Sequence, residues 1–472
     1  MDQPSEETVV KGRGRGFRAA IWVLSVLLVL GLAGFLSYRH FTSIRIIPVT
    51  QREVDEIVGP DLRWTPTSIA GPTVSETEMS SLAKDPLTAK VVGFMYVRPW
   101  RPLDHATDIR NSRRITDALK RAIAGRSLVV KGPGDDFPMS FAAFRTLAKL
   151  YAIQIELGAA EKDFARCFRL STGALEFNRF LARSLRSNLV DVLVAGAVDE
   201  ILLTAIEKAA STGIFAPEQL RALYSGIEPA PEEDVAFANA VRADFSHEVS
   251  AYLTLQSKKE AMEMLFSFGS SWMDDPEADR SDLDAGELNL PKTLRRAAEI
   301  AREIIANCSR PWSRHSVSVL TQLETDSKLL PEPPDIKTGD SWLKRTWEKA
   351  KFKAKMRAIP NALGLVALSS FGPTTDHASV SFRHRTIAEA HRLALLIQLY
   401  REVHRGALPD RLDQLRDFDR SGHLPLDMYA GGPFHFDAKR RIYWSVGENG
   451  VDDGGTGGAN RYKSPDIVWA IL

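Results

Sequence analysis

Cysteine is nearly absent from this chain, with Cys167 and Cys308 the two examples in 472 residues. Two thiols are too few for a disulfide scaffold, and their spacing fits no zinc pattern. Two readings stay open for them: one bridge formed outside the cytoplasm, or two small buried residues on helices. An excess of one charge is missing as well, since 61 basic residues face 60 acidic ones and the net charge is +1. That balance removes the general electrostatic case for nucleic acid as a partner. Long apolar runs are also missing, except in one place.

That place is residues 19–38, which carry no charged side chain. At about 1.5 Å per residue a helix of this length spans roughly 30 Å, the thickness of a bilayer core. Lys11, Arg13, Arg15 and Arg18 precede the run, and Arg39, His40 and Arg45 follow it. The flanking charge favours a cytoplasmic N-terminus, with the remainder of the chain outside. A cleavable signal peptide would need a shorter apolar core, of about 7 to 15 residues, and a small-x-small site after it. The run is therefore read as an uncleaved anchor, and its partner is the lipid bilayer.

Beyond the anchor, residues 39–138 mix short apolar runs with proline and charge, which predicts an irregular membrane-proximal region with one or two strands or short helices. Residues 139–328 read as a helical domain. Apolar residues recur three and four apart over 141–157, 164–181 and 189–209, the period of an amphipathic helix. Leu157 and Gly158 are placed at the turn of a first helical hairpin, and Pro217 and Pro231 at helix starts. Residues 273–291 are acidic and read as a loop, with a further helix over 292–308. A linker punctuated by proline follows at 329–339, inside a connecting region 329–375.

Within that region, residues 342–357 hold seven basic residues and one acid, Glu348. On a helix Leu343, Trp347, Ala350 and Ala354 share one face and the cations lie mostly around the other. The form suits an interfacial helix facing anionic lipid, through Trp342, Lys344, Arg345, Trp347, Lys349, Lys351, Lys353 and Lys355. A solvated basic face on a domain helix is the other reading. Residues 361–371 are apolar but too short to span a membrane, and are expected in the core.

Signs of catalysis are few. His247 and Glu248 open like a zinc-protease motif, but position 251 is Ala where the second histidine belongs. His377, His384 and His391 recur every seven residues, so neighbours on a helix stand about 10.5 Å apart and share no metal ion. Lys131-Gly132-Pro133-Gly134 lacks the ending of a phosphate loop. Ser81, Lys84 and the Lys337-Thr338-Gly339 stretch occur in the order found in penicillin-binding proteins and serine β-lactamases. That resemblance implies a serine nucleophile at 81 activated by Lys84. The middle Ser-x-Asn or Tyr-x-Asn element is absent, and Lys337 stands in the proline-rich linker.

The C-terminal residues hold the most specific pattern. Residues 381–405 predict a helix with Ile387, Ala390, Leu393, Ala394 and Ile397 buried and Gly406 ending it. Residues 409–415 suggest a short second helix, and Leu424-Pro425-Leu426-Asp427 and Gly431-Gly432-Pro433-Phe434 read as turns. Segments 434–437 and 441–445 should pair as a hairpin, with 467–471 a third strand. An Asp/Gly loop, from Gly447 through Asp452, Asp453, Gly454 and Gly455, closes on Asp466 and Ile467.

This order is similar to the globular head of the major pseudopilin of type II secretion systems, over about a fifth of the chain. The resemblance implies a pseudopilin-like tail module, residues 376–472, on a bacterial membrane-anchored envelope protein. It also implies calcium in the loop, at the positions of Asn449, Asp452, Asp453 and Asp466. Hard Ca2+ takes six to eight oxygens from flexible loops, so the residue types suit it. A solvated turn in which Asp and Asn side chains bond their own backbone is the reading without an ion. The match breaks at the N-terminus: the fifth residue from Phe17 is Ile21 where a pseudopilin has glutamate, and a long segment separates anchor from module.

The expected protein is thus mainly α. It has a cytoplasmic tail (1–18), a transmembrane helix (19–38), an extracytoplasmic helical domain, and a small α+β domain built on an antiparallel hairpin. Its expected place is the bacterial inner membrane with the bulk extracytoplasmic, its expected role structural or interaction-based with unidentified envelope proteins. The rival from another class is a serine acyl-enzyme using Ser81 and Lys84.

Overall fold

The computed structural model describes residues 44–64, 72–129, 139–185, 188–227, 235–254, 286–308, 310, 312, 315, 318–330, 342–369, 373–419, 422–457 and 465–471. The expected anchor at 19–38, the proline-rich linker, Pro231, Lys131 to Gly134 and most of the acidic segment lie outside these residues. Among the described residues no helix is long and apolar enough to cross a membrane.

The chain is mainly helical. It opens with β1 (Ile44–Ile47), α1 (Gln51–Val58), β2 (Thr73–Ser75), α2 (Glu76–Ala83), α3 (Pro86–Gly93), α4 (Ala106–Asn111), α5 (Arg113–Ile123) and β3 (Ser127–Val129). Longer helices follow: α6 (Met139–Ala160), α7 (Phe164–Ser184), α8 (Leu189–Ser211), α9 (Pro217–Gly226) and α10 (Val235–Thr254). Then come β4 (Gly286–Asn289), α11 (Leu290–Asn307), α12 (Ser318–Ser327), α13 (Trp342–Ala358), α14 (Ala362–Ser369) and α15 (Pro373–Val403). Short strands β5 (Leu426–Asp427), β6 (Gly432–Pro433), β7 (His435–Asp437), β8 (Ile442–Ser445) and β9 (Ile467–Ala470) complete it.

The described residues form two compact units, each discontinuous in sequence: those within 1–57, 249–297 and 320–370 make one, and those within 58–248, 298–319 and 371–472 the other. The units therefore do not follow the consecutive segments read from sequence. In particular 376–472 shares its unit with the helices of 139–248.

In the first unit β1 lies parallel to β4, Ile44 opposite Gly286 and Ile47 opposite Asn289. Strand β4 also packs on α13 and α14. Asn361, between those two helices, adopts a left-handed φ of 58°, a conformation Asn tolerates better than most residues. Its side chain accepts the Asn289 N–H at 2.7 Å and donates to Thr293 Oγ1 at 3.1 Å. Ala362, Leu363, Ala367 and Leu368 are buried, as expected for this apolar stretch.

The second unit is built on α6, α7, α8 and α15. Apolar periodicity located α6, α7 and α8 well, but the first turn falls at 161–163, later than Leu157 and Gly158. Gly158 stays helical, and a methyl group there would come 3.3 Å from Cα and Cβ of Cys167 on α7. Its small size serves close helix packing and not the turn. Asp163 caps α7 by accepting the Arg166 N–H at 3.0 Å, and Pro217 stands in the first turn of α9.

Residues 39–138 are more helical than expected. Their polar punctuation starts helices: Ser75 Oγ accepts the Glu78 N–H, and Asp85, just before Pro86, accepts the Leu87 N–H. Such caps, at the heads of helices only 8 residues long, look like loop signals in sequence. Strands β2 and β3 pair in parallel. Cys167 and Cys308 are both buried and neither forms a disulfide, the second of the two readings left open.

The C-terminal part follows expectation closely. Helix α15 buries Ile387, Ala390, Leu393, Ala394 and Ile397. It ends where the Gly406 N–H, at φ 90°, bonds to the Arg401 carbonyl at 2.7 Å. The short second helix is a 3-10 turn at Leu412–Phe418. Strands β7 and β8 pair antiparallel, His435 opposite Trp444, and β9 adds antiparallel to β8 with Tyr443 opposite Trp469. Segments 424–427 and 431–434, read as turns, also contribute the β5–β6 pair.

Candidate functional site

The Asp/Gly loop leaves β8 through Gly447, whose φ is 65° and whose added methyl would fall 2.2 Å from the Pro465 carbonyl oxygen. Only glycine fits there. Gly455 lies against the Trp444 ring, 3.1 Å from the place a Cβ would take. Between them the loop is bonded to itself and to its base. Asp466, fully buried, accepts the Gly455 N–H at 2.8 Å and the Asp453 N–H at 3.3 Å. Asp452 accepts the Trp444 indole N–H and the Gly454 N–H, each at 2.9 Å, and these bonds hold its carboxyl below the usual range. Asn449 donates to Asp453 at 2.9 Å and accepts the Val451 N–H at 3.1 Å. The carbonyls of Gly454 and Gly455 both receive the Arg440 guanidinium, at 2.6 and 2.9 Å.

The four positions expected to ligate calcium lie in one loop, where hydrogen bonds join Asn449, Asp453 and Asp466 while Asp452 accepts from the Trp444 indole. Among the described residues no group of three or more His, Cys, Asp or Glu side chains is placed to hold a metal ion. The cation that faces the loop carbonyls is Arg440. Several of these bonds run from loop N–H groups to the loop's own Asp and Asn side chains, as in a solvated turn, and residues 458–464 lie outside the described residues.

Asp427 anchors the base of this module. Its carboxylate accepts Ser445 Oγ at 2.7 Å, the Tyr429 N–H at 2.9 Å and the Val446 N–H at 3.0 Å. Burial pushes its carboxyl above the ordinary value, against the pull of those donors. Tyr443 and Tyr429 then tie the strands to α15, through the carbonyls of Ala390 at 3.1 Å and Ser379 at 3.3 Å.

A row of buried and half-buried polar residues between α8 and α15 escaped the sequence reading. His391 meets Glu207 through Nδ1 and Thr204 through Nε2, the latter at 3.5 Å. Asp199 accepts from Asn178, and burial pushes its carboxyl up to about 7. Arg392 grips both oxygens of Glu389, at 2.8 and 3.0 Å, and donates to the Tyr224 hydroxyl at 3.0 Å. His384, largely buried, stays neutral down to about 4. The seven-residue spacing of the histidines carried the signal, but it placed them singly at the surface or half-buried. A small cavity of about 10 Å3 beside Glu207, Ser211, Gln398 and Tyr443 admits nothing larger than a water. Most of the row is paired, although Arg392 Nε is buried without a hydrogen-bond partner.

Other candidates separate. Ser81 and Lys84 are exposed, and the Ser81 hydroxyl donates to the Glu78 carbonyl of its own helix at 2.7 Å; Lys337 lies outside the described residues. Glu248 is half-buried, and desolvation followed by the charge of Asp244 pushes its carboxyl well above the ordinary value. On α13 the exposed residues are Lys344, Trp347, Lys351 and Lys355, with Ala354 and Ala358; the side chains of Trp342, Arg345, Lys349 and Lys353 lie outside the described set. Phe352 and Met356 are the buried ones. Comparison of the chain with protein-family models, curated proteins and solved structures finds no match.

Proposed function

We propose that this chain is a membrane-anchored structural or interaction protein of the bacterial cell envelope. Residues 19–38 hold it in the inner membrane, and its pseudopilin-like C-terminal part links it to secretion. The observation that carries the reading is a short distance in sequence: β1, at Ile44–Ile47, stands six residues after the uncharged run that ends at Tyr38. An extended connection of that length reaches at most about 20 Å. The first unit is thus tethered close to the bilayer surface, as an anchored body requires.

The C-terminal features support interaction in place of polymerisation. Between residues 385 and 399 of α15 only Ala388 is even partly exposed. A pseudopilin packs through its helix, and here that helix is already covered by α8 and α9. The strands and loop remain as the part offered to partners. Alkaline carbonate extraction of membranes holding the intact chain tests the anchor. The protein stays with the sedimented bilayer on this reading; release into the supernatant contradicts it.

A further inference from the structure

Helix α13 has two apolar arcs, and the fold uses one. Phe352 and Met356, four residues apart, are 4% and 0% exposed and fix which side faces the protein. The stripe read from sequence as apolar lies elsewhere: Trp347 is 69% exposed and Ala354 is exposed too. At 3.6 residues per turn, Lys344, Trp347, Lys351, Ala354, Lys355 and Ala358 fall within one arc of about 100°. All six are exposed. An indole and two methyl groups thus stand beside three lysines on an open face. Glu348 is the helix's single acid, and its contact with Lys351, at 3.9 Å with the lysine 54% exposed, is a weak surface pair.

We infer that this face docks on the surface of an anionic lipid bilayer. Three features of the molecule fit that occupant. Lysine stems lie along apolar surface while their ammonium groups reach anionic headgroups. Tryptophan favours the headgroup level, where its ring is half in hydrocarbon and its N–H is hydrated. Helix α13 also packs on β4, whose parallel partner β1 begins six residues after the uncharged run. The face is therefore carried by the unit that the tether joins. A nucleic acid would use the lysines but leaves the adjoining indole and alanines without a role. The inference rests partly on the anchored reading, because the tether supplies the proximity.

The test uses the full chain in lipid nanodiscs, with Ala354→Cys carrying an environment-sensitive fluorophore and the unlabelled positions Cys167 and Cys308 buried. In discs containing phosphatidylglycerol the emission shifts to the blue, and high salt reverses the shift. In discs of phosphatidylcholine alone it does not shift. The triple change Lys344→Glu, Lys351→Glu, Lys355→Glu, at exposed positions that leave the fold intact, abolishes the effect. If the chain elutes apart from the discs, the anchor reading fails. The labelled protein is then given phosphatidylglycerol vesicles, where a salt-sensitive blue shift still sustains the docking face. An emission indifferent to lipid charge in both settings overturns it. So does a label indifferent to lipid in a chain that binds duplex DNA through the same lysines.

Discussion

The Tyr443 hydroxyl on β8 donates to the main-chain carbonyl of Ala390, in the middle of α15, at 3.1 Å. The ring is 1% exposed and stacks on Trp469 with centroids 5.5 Å apart. A helix carbonyl already bonded within its helix so takes a second donor from the sheet. Tyr443→Phe removes that donor and lowers stability by about 1 kcal/mol. Tyr443→Ala empties the site and costs about 3–5 kcal/mol. Hydrogen exchange of the intact protein checks where the loss appears: protection falls together in β8 and in α15. A loss confined to the strands contradicts the shared core.

Gly196 on α8 lies under the imidazole of His384, where an added methyl would come 2.0 Å from Nδ1. The ring cannot slide away without entering the packed interface between α8 and α15. Gly196→Ala therefore destabilises by roughly 1–3 kcal/mol, the scale of overpacking. His384→Ala opens the space, so the double variant loses less than the sum of the two single changes. Denaturant titration of the four proteins measures the coupling, and additive losses would refute the contact.

Asp199 sets a pH dependence. Burial raises its carboxyl from 3.8 to about 7, against the lowering influence of His391 and Asn178 and with the help of Glu200 and Glu389. Between those values the fold keeps a proton that the unfolded chain has released, so stability falls as pH rises through the window and then levels off. Asp199→Asn removes that dependence while leaving an oxygen to accept from Asn178. The variant gains on the natural protein as pH rises from about 4 to about 7. At about 1.4 kcal/mol per pH unit, the full gain is on the order of a few kcal/mol. A pH-independent difference between the two melting curves would show that Asp199 is ionised in the fold throughout.

Asp466 keeps the Asp/Gly loop closed through the N–H groups of Asp453 and Gly455. Arg440 supplies the positive charge over the Gly454 and Gly455 carbonyls. Asp466→Ala leaves the buried Gly455 N–H and the part-buried Asp453 N–H without their acceptor and costs about 1–3 kcal/mol. Adding calcium, or removing it with a chelator, leaves the melting temperature of the intact protein unchanged. A calcium-dependent rise that Asp466→Ala abolishes would instead make the loop a metal site.

Legibility differed sharply between parts of the chain. Helices α6, α7 and α8 announce themselves because each buries a stripe at helical period, and α15 is bounded by Gly406. The β7–β8 hairpin and β9 are equally plain, since aromatic residues such as Tyr443 and Trp469 alternate in short segments between turns. What stayed hidden depends on distant partners. The parallel pairs β1–β4 and β2–β3 join segments far apart in sequence, and nothing local at Ile44 or Thr73 names the other strand. Gly158 looked like a turn because only the approach of Cys167 explains it otherwise. On α13 both arcs are visible in the sequence, but which one the core takes is decided by the helix's neighbours. Nothing local in the sequence marks Asp199, Glu389 and Arg392, which become a row only when α8, α9 and α15 come together around them. The loop at 447–466 gave up its residues to inspection but not their directions, which the Trp444 indole and Arg440 determine.

The side of the membrane on which the described body stands tests the account most directly. Alkaline phosphatase and green fluorescent protein are each fused after Leu472 of the full chain, and both activities are measured in intact cells. An anchor at 19–38 with its N-terminus inside predicts active phosphatase and a dark fluorescent fusion. Fluorescence with inactive phosphatase would place the body in the cytoplasm and contradict the account.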